Sequence, residues 1–481
     1  MRILFIHQNF PGQFRHIAQA WAARPGWQVL AIGRDTAPGV PGVRCLEYKP
    51  HREPVPQQHA YLRRMEDAVL HGQSVARVLL DLKRKGFTPD AIVAHPGWGE
   101  TLYAKDVFPQ ARLIHLCEWF YGAEGSDVGF DPEFPSAFDD HARVRTWNAL
   151  HLLNLENCDI GISPTGWQKS RHPDAYQHKI AVAHEGINTE LLGPDPGAQI
   201  TLESGVVLKA GAPVITYVSR NLEPYRGFHQ FMRALAPIQA EHKTCHAVIV
   251  GGDGVSYGKR PADAKHWREK MLREREIDTT RVHFVGKVPY DQYRKVLQVS
   301  AAHVYLTYPF VLSWSMLEAM ASGCAVIGSN TAPVKELIRD GVNGRLVEFF
   351  DVQAITQAVI TTLNEDQRTT QALRDQARRD AQRYSLRAGL AAYERALAGS
   401  AAIEAAAPGP GKEPPRLTRV EFELLQLVVA GHSNDNIARV RNRSPATVRN
   451  QVSALYQKLG VKHRTAAVAK AVALKLVRAT S

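Results

Sequence analysis

Short runs of apolar residues, each followed by a loop and a longer amphipathic segment, recur along most of this chain. They fall at residues 3–6, 91–94, 112–116, 214–218, 247–251 and 325–328. Runs of this length read as strands buried on both faces, which need helices on each side of a parallel sheet. The fold class is therefore α/β. The series starts twice, once at Met1 and again near Gly211. That predicts two doubly wound, Rossmann-like lobes, residues 1–185 and 186–397, with ligands held in a cleft at the carboxyl ends of the strands. The charged helical stretch 371–397 closes the second lobe. Residues 398–415 are rich in Ala, Gly and Pro and read as a linker. Residues 416–481 form a separate, small all-α domain.

Composition narrows the setting. No apolar run approaches the roughly 18 residues needed to cross a bilayer. The opening run is cut by His7, Gln8 and Asn9, as a strand entering a loop is, and a signal peptide is not. Cys45, Cys117, Cys158, Cys245 and Cys324 are scattered, which suits reduced thiols and a cytoplasmic protein. The net charge of +12 is uneven. Residues 416–481 hold twelve Lys and Arg against three acids and so carry +9 of it. Basic charge concentrated in one module points to a polyanion partner.

Three segments of the second lobe carry chemistry. Arg220 and Arg226 flank the carboxyl end of a strand, where two guanidinium groups can clamp a diphosphate. Gly252 lies in a glycine-rich turn that lets backbone amides approach a ligand. Val311, Leu312 and Ser313 precede a helix starting near Trp314, whose free amides suit a phosphate. Glu318, in the first turns of that helix, can accept hydrogen bonds from two ribose hydroxyls. In the first lobe, His95, Glu100 and Glu118 follow strand ends on the side expected for an acceptor.

Residues 1–397 resemble the retaining glycosyltransferases of family four, with the GT-B fold. The resemblance rests on the three segments above, on HEGINTELLGP at 184–194 and on RVHFVGKVP at 281–289. It implies that Arg220 and Arg226 bind a nucleotide-sugar donor's diphosphate and Glu318 its ribose. Backbone near Lys287 and Val288 would hold the base, and the amides of 311–313 would face the sugar or its phosphate. The loop 7–14, with Gly12, would face the cleft from the acceptor side. The implied reaction is transfer of a hexose to an acceptor with retention, without a nucleophile. No D-x-D motif stands out, so no cofactor or essential metal is expected. Two departures are plain. The family's paired glutamates lie eight positions apart, and Phe310 stands where the first belongs. Its R-x4-K-G pattern becomes Arg220-x5-Arg226-Gly227. Contact with membrane lipid acceptors, common in similar enzymes, stays open.

In the C-terminal module, Thr418 and Glu421 form a capping box, Gly431 ends that helix, and Ser433 caps a second. Ser444 caps a third, with Pro445 at its first position. Val448, Val452, Leu455 and Leu459 make one apolar stripe on it. A short helix, a tight turn and a polar-faced helix make the helix-turn-helix plan. LTRVEFELLQLVVAGHSNDNIARV and SPATVRNQVSALYQKLGVKHRTAAVA closely resemble the DNA-binding domain of the LuxR family. That resemblance implies DNA contact, with Arg449, Asn450 and Ser453 facing bases and Thr447, Lys462 and Arg464 touching phosphates. It also implies binding as a homodimer. Three readings stand: a glycosyltransferase with a DNA-binding tail, a regulator whose body senses a nucleotide sugar, and a body with a protein-docking tail.

Overall fold

The computed structural model describes residues 1–399, 417–441, 443–459, 461, 464, 467, 468 and 471. The predicted linker from residue 400 onward, and Lys462, lie outside the described residues.

The chain divides into two compact units, a body and a C-terminal module. The body holds the two expected parallel sheets. In the first lobe, β1 (Arg2–Ile6), β2 (Gln28–Arg34), β3 (Arg44–Tyr48), β4 (Ala91–Ala94), β5 (Arg112–Leu116), β6 (Ile160–Ser163) and β7 (Ile180–Val182) pair in the order β3-β2-β1-β4-β5-β6-β7. A short antiparallel hairpin, β8 (Gln199–Thr201) and β9 (Val207–Lys209), follows. The second lobe contains β10 (Val214–Asn221), β11 (His246–Gly252), β12 (Val282–Gly286), β13 (Ala302–Tyr305), β14 (Val326–Ser329) and β15 (Arg345–Val347), in the order β12-β11-β10-β13-β14-β15. Strand order reverses between β1 and β4 in one sheet and between β10 and β13 in the other. At such switch points the connections leave in opposite directions and open a crevice.

The all-apolar strands are buried as their composition requires. Ile3 to Ile6 and Ala91 to Ala94 are at most 3% exposed. The lobes are closed on each other through specific contacts. Trp119 of the first lobe packs in the core of the second. Glu336 of the second lobe accepts the Gly166 and Trp167 amides of the first, each at 2.7 Å. Tyr225 donates to Asp127 at 3.0 Å and Tyr308 to Asp131 at 2.6 Å.

The closing stretch differs from expectation. It is two helices, Gln367–Ala381 and Leu386–Ala398. The first packs in the second lobe through Ala377 and Ala381. The second crosses back, burying Ala392, Tyr393 and Ala396 in the first lobe's core. Its small and aromatic residues share one face and complement Phe14 and Ile17, which the first lobe would otherwise expose. No described helix is long and apolar enough to cross a membrane.

The module contains the helices Arg419–Val429, Asn434–Val440 and Pro445–Leu459. Glu421 accepts the Thr418 amide at 2.7 Å, and Thr418 accepts the Glu421 amide at 3.3 Å. Val448, Val452, Leu455 and Leu459 pack with Leu424, Leu425, Val428 and Ile437.

Candidate functional site

A cleft of about 860 Å³ lies at the carboxyl ends of both sheets. The first lobe lines it with the loops after β1, β4 and β5, and the second with those after β10, β11 and β13. Both switch points therefore open into the same space.

On the first-lobe wall, four side chains form one chain of hydrogen bonds. The Asn9 amide donates to His7 Nδ1 at 2.9 Å, leaving the proton on Nε2, which meets Gln13 Oε1 at 2.9 Å. Gln13 Nε2 donates to Glu118 Oε1 at 3.0 Å. The Gly97 amide likewise occupies His95 Nδ1, so His95 Nε2–H reaches Glu118 Oε2 at 3.1 Å. Burial raises the Glu118 carboxyl, but His95 and Gln13 outweigh it and hold Glu118 below its usual range. Burial depresses His7 to about 3, so it stays neutral. The result is a fixed carboxylate with both oxygens oriented. Gly12 has φ +48, and a Cβ there would come within 2.3 Å of the His7 ring. Only glycine lets the loop fold over His7.

On the opposite wall, Arg220, Arg226, Val311, Leu312 and Ser313 line the cleft. Arg226 is buried, and its Nη1 donates to Thr307 Oγ1 at 2.8 Å and to the Val311 carbonyl at 2.9 Å. The Ser313 amide donates to Tyr305 Oη at 2.8 Å rather than into the cleft. Phe310 lies among aromatic rings, with Trp119 at 4.9 Å and Tyr257 at 5.0 Å between centroids.

A smaller hollow of about 400 Å³ adjoins and shares Ser219 and Arg220. Lys287 and Val288 line it, with Tyr290 and Tyr293. Glu318 lines neither space. Its carboxylate accepts Tyr290 at 3.1 Å and Tyr293 at 2.7 Å, and burial raises it against these two bonds. Gly252 sits behind the hollow, where a Cβ would meet Lys287 Cε at 2.8 Å. Glu100 also lies outside the cleft. It is 0% exposed, accepts Tyr48 at 2.7 Å, and burial pushes it up to about 7.

Sequence reasoning brought the loop 7–14 to the cleft without singling out Gln13 or His7, which reaches Glu118 only through Gln13, and it did not find Glu185. Glu185 stands on the crossing between lobes and lines the cleft. It is 2% exposed, burial raises it to about 8, and its Oε2 has no hydrogen-bond partner among the described residues.

In the module, Thr447, Arg449, Asn450 and Ser453 are exposed on the third helix. Arg464 is turned inward. Its Nη1 donates to the His432 carbonyl at 2.7 Å and its Nη2 to Asn434 Oδ1 at 2.9 Å. That ties the first helix's end to the second helix's start.

Fold and cleft together define a two-lobed glycosyltransferase body of the GT-B type, joined to a helix-turn-helix module. Residues 25–192 match the Glycosyl transferase family 4 group, and residues 212–365 the Glycosyl transferases group 1. Residues 415–471 match the bacterial regulatory proteins of the luxR family. Residues 25–192 and 212–365 thus carry glycosyltransferase family 4 and group 1 domains, and residues 415–471 a LuxR-type DNA-binding domain.

Two relatives come from Mycolicibacterium smegmatis. A GDP-mannose-dependent alpha-(1-6)-phosphatidylinositol monomannoside mannosyltransferase is 26% identical over 237 residues, 47% of this chain and 60% of its own. A phosphatidyl-myo-inositol mannosyltransferase is 30% identical over 193 residues, 38% and 45% respectively. The HTH-type transcriptional regulator MalT of Yersinia pestis is 44% identical over 55 residues, 11% of this chain and 6% of that protein. The chain thus spans less than two thirds of each of these relatives. Among solved structures, Anabaena Alr3699/HepE in complex with UDP and glucose has a TM-score of 0.59 at 17% identity, covering 83% of this chain and 99% of its own. Sucrose-phosphate synthase from Thermosynechococcus elongatus has a TM-score of 0.62 at 19% identity, covering 83% and 100%. At these identities the likeness establishes the fold.

Proposed function

We propose that the body transfers a hexose from a nucleotide-sugar donor to an acceptor with retention, and that the module binds DNA. The observation that carries this reading is the facing of Arg220 and Arg226 against the fixed carboxylate of Glu118 across one cleft. The leaving diphosphate develops negative charge, which the two guanidinium groups stabilise. The anomeric carbon develops positive charge, and the acceptor hydroxyl sheds a proton. That proton passes to the leaving phosphate oxygen on the shared face, as retention requires, while Glu118, ionised and held by His95 and Gln13, stabilises the positive charge from the opposite wall. The base lies in the hollow at Lys287 and Val288, and Glu318 meets the ribose once it exchanges a tyrosine bond for it. The transfer itself runs without a metal.

The mannosyltransferase relatives make GDP-mannose the first donor to test, with UDP-glucose beside it. Incubating the full chain with each donor and following nucleoside diphosphate release tests the reading. Release abolished by Arg220→Ala supports it. Tight binding with no release, with every acceptor tried, sinks it.

A sensor reading has one observation in its favour. Phe310 fills the place of the first family glutamate with an aromatic ring packed between lobes. Under that reading a bound donor persists unchanged and alters DNA affinity instead.

A further inference from the structure

We propose that Asp131, Glu133 and His229 bind a divalent transition-metal ion, of the Mn²⁺ or Zn²⁺ class, that clamps the two lobes together. Asp131 and Glu133 lie on the first-lobe loop between β5 and β6. His229 lies in the second-lobe helix Phe228–Glu241. Asp131 Oδ2 is 3.0 Å from His229 Nε2, and Glu133 Oε1 is 4.0 Å from that nitrogen. Among the described residues this is the one group of three or more such ligand atoms lying within 4.8 Å of one another.

The second observation is His229 itself. It is 1% exposed, yet neither ring nitrogen makes a hydrogen bond among the described residues. Asp131 Oδ2 lies 3.0 Å from Nε2, at ion-pair distance, and Nδ1 meets no hydrogen-bond partner among the described residues. A buried imidazole left unmet is costly, and a cation shared with two carboxylates satisfies it. The 3.0 and 4.0 Å from His229 Nε2 to the two carboxylates are each within twice a metal–ligand bond of about 2.0–2.2 Å.

Charge and support agree. Glu133 and Glu274 both pair with Arg233. Asp131 adds a third carboxylate to a cluster whose one guanidinium is shared by the other two, an excess of negative charge that a cation offsets. Tyr308 donates to Asp131 Oδ2 at 2.6 Å and orients it, as outer partners of metal ligands do. The Glu133 side chain is 40% exposed, which gives an ion a way in from solvent. One imidazole nitrogen and two carboxylates suit Mn²⁺ and Zn²⁺ better than Ca²⁺. The site lies apart from the residues lining the cleft, so the ion acts on lobe closure and not on the transferred sugar.

The test uses the full chain, stripped with chelator and titrated with Mn²⁺ while free Mn²⁺ is followed by electron paramagnetic resonance. A parallel series follows thermal unfolding with Zn²⁺. The expected result is one Mn²⁺ per chain and a metal-dependent rise in melting temperature. Glu133→Gln and His229→Gln each weaken the affinity at least about tenfold. Glu133 is at the surface, so its variant keeps the test valid if His229→Gln fails to fold. A wild-type chain that takes up no metal overturns the proposal, as does uptake that both variants leave unchanged.

Discussion

The Phe310 ring meets Trp119 edge to face, with centroids 4.9 Å apart and planes at 70°. One residue belongs to the second lobe and the other to the first, so this contact is part of what holds the cleft shut. Phe310 is 5% exposed. Truncating it to Ala should cost about 3–5 kcal/mol, as for buried aromatics generally, and lower the melting temperature measurably. Phe310→Glu buries a carboxylate among rings and should destabilise the body without raising turnover. A Phe310→Glu chain more active than wild type would show that the ring only blocks a vacant catalytic position.

Both oxygens of the half-buried Glu118 are engaged, one by Gln13 and the other by His95. Glu118→Gln keeps the shape but removes the charge, and should lower kcat about a hundredfold if the carboxylate takes part in the transfer. Gln13→Glu sets a second carboxylate against it and should shift the pH profile. Steady-state rates of donor turnover across pH check both. An unchanged kcat in Glu118→Gln would confine the residue to packing.

The buried acids and histidines oppose each other in their effect on stability. Glu185 is raised to about 8 and Glu100 to about 7 by burial. The folded chain therefore holds protons that the unfolded chain has already lost, and stability falls as pH rises towards 8. His7 and His151, each depressed to about 3, act the other way, losing stability as pH falls below about 6.5. The opposing slopes cancel between about pH 4.5 and 6.5, so melting temperature should be highest there and fall on either side. Between pH 6.5 and 8, Glu185 alone accounts for a loss of about 2 kcal/mol. Glu185→Gln should flatten that limb, and equal slopes in both chains would count against it.

In the module, Arg449→Ala should weaken DNA binding by about 1–3 kcal/mol at a preferred site, with a smaller effect on unrelated sequence. Arg464→Ala should instead lower the module's thermal stability, since its guanidinium holds the His432 carbonyl and Asn434. Binding titrations at two salt concentrations and a melting curve separate the two outcomes.

Local chemistry made much of this legible. β4 is a continuous apolar run, β5 is an apolar run broken by His115, and both strands span the residues the sequence predicts. Caps were equally readable, because Thr418 with Glu421 and Ser433 with the Asn436 amide are contacts between residues three apart. Arg220 and Val311 to Ser313 reach the cleft because they follow strands whose ends must open there. Glu318 was placed on its helix correctly, but Tyr293, 25 residues earlier, decides what its carboxylate touches.

The sequence by itself determined the two parallel-sheet lobes, the helix-turn-helix and the basic charge of the module. Each follows from short-range periodicity, caps and composition. Tertiary structure alone decided that Gln13 orients Glu118 from 105 residues away, that the last body helix returns to the first lobe, and that Glu100 lies outside the cleft. These depend on which distant segments the fold brings together, within a lobe and between lobes, and spacing along a chain carries no record of that.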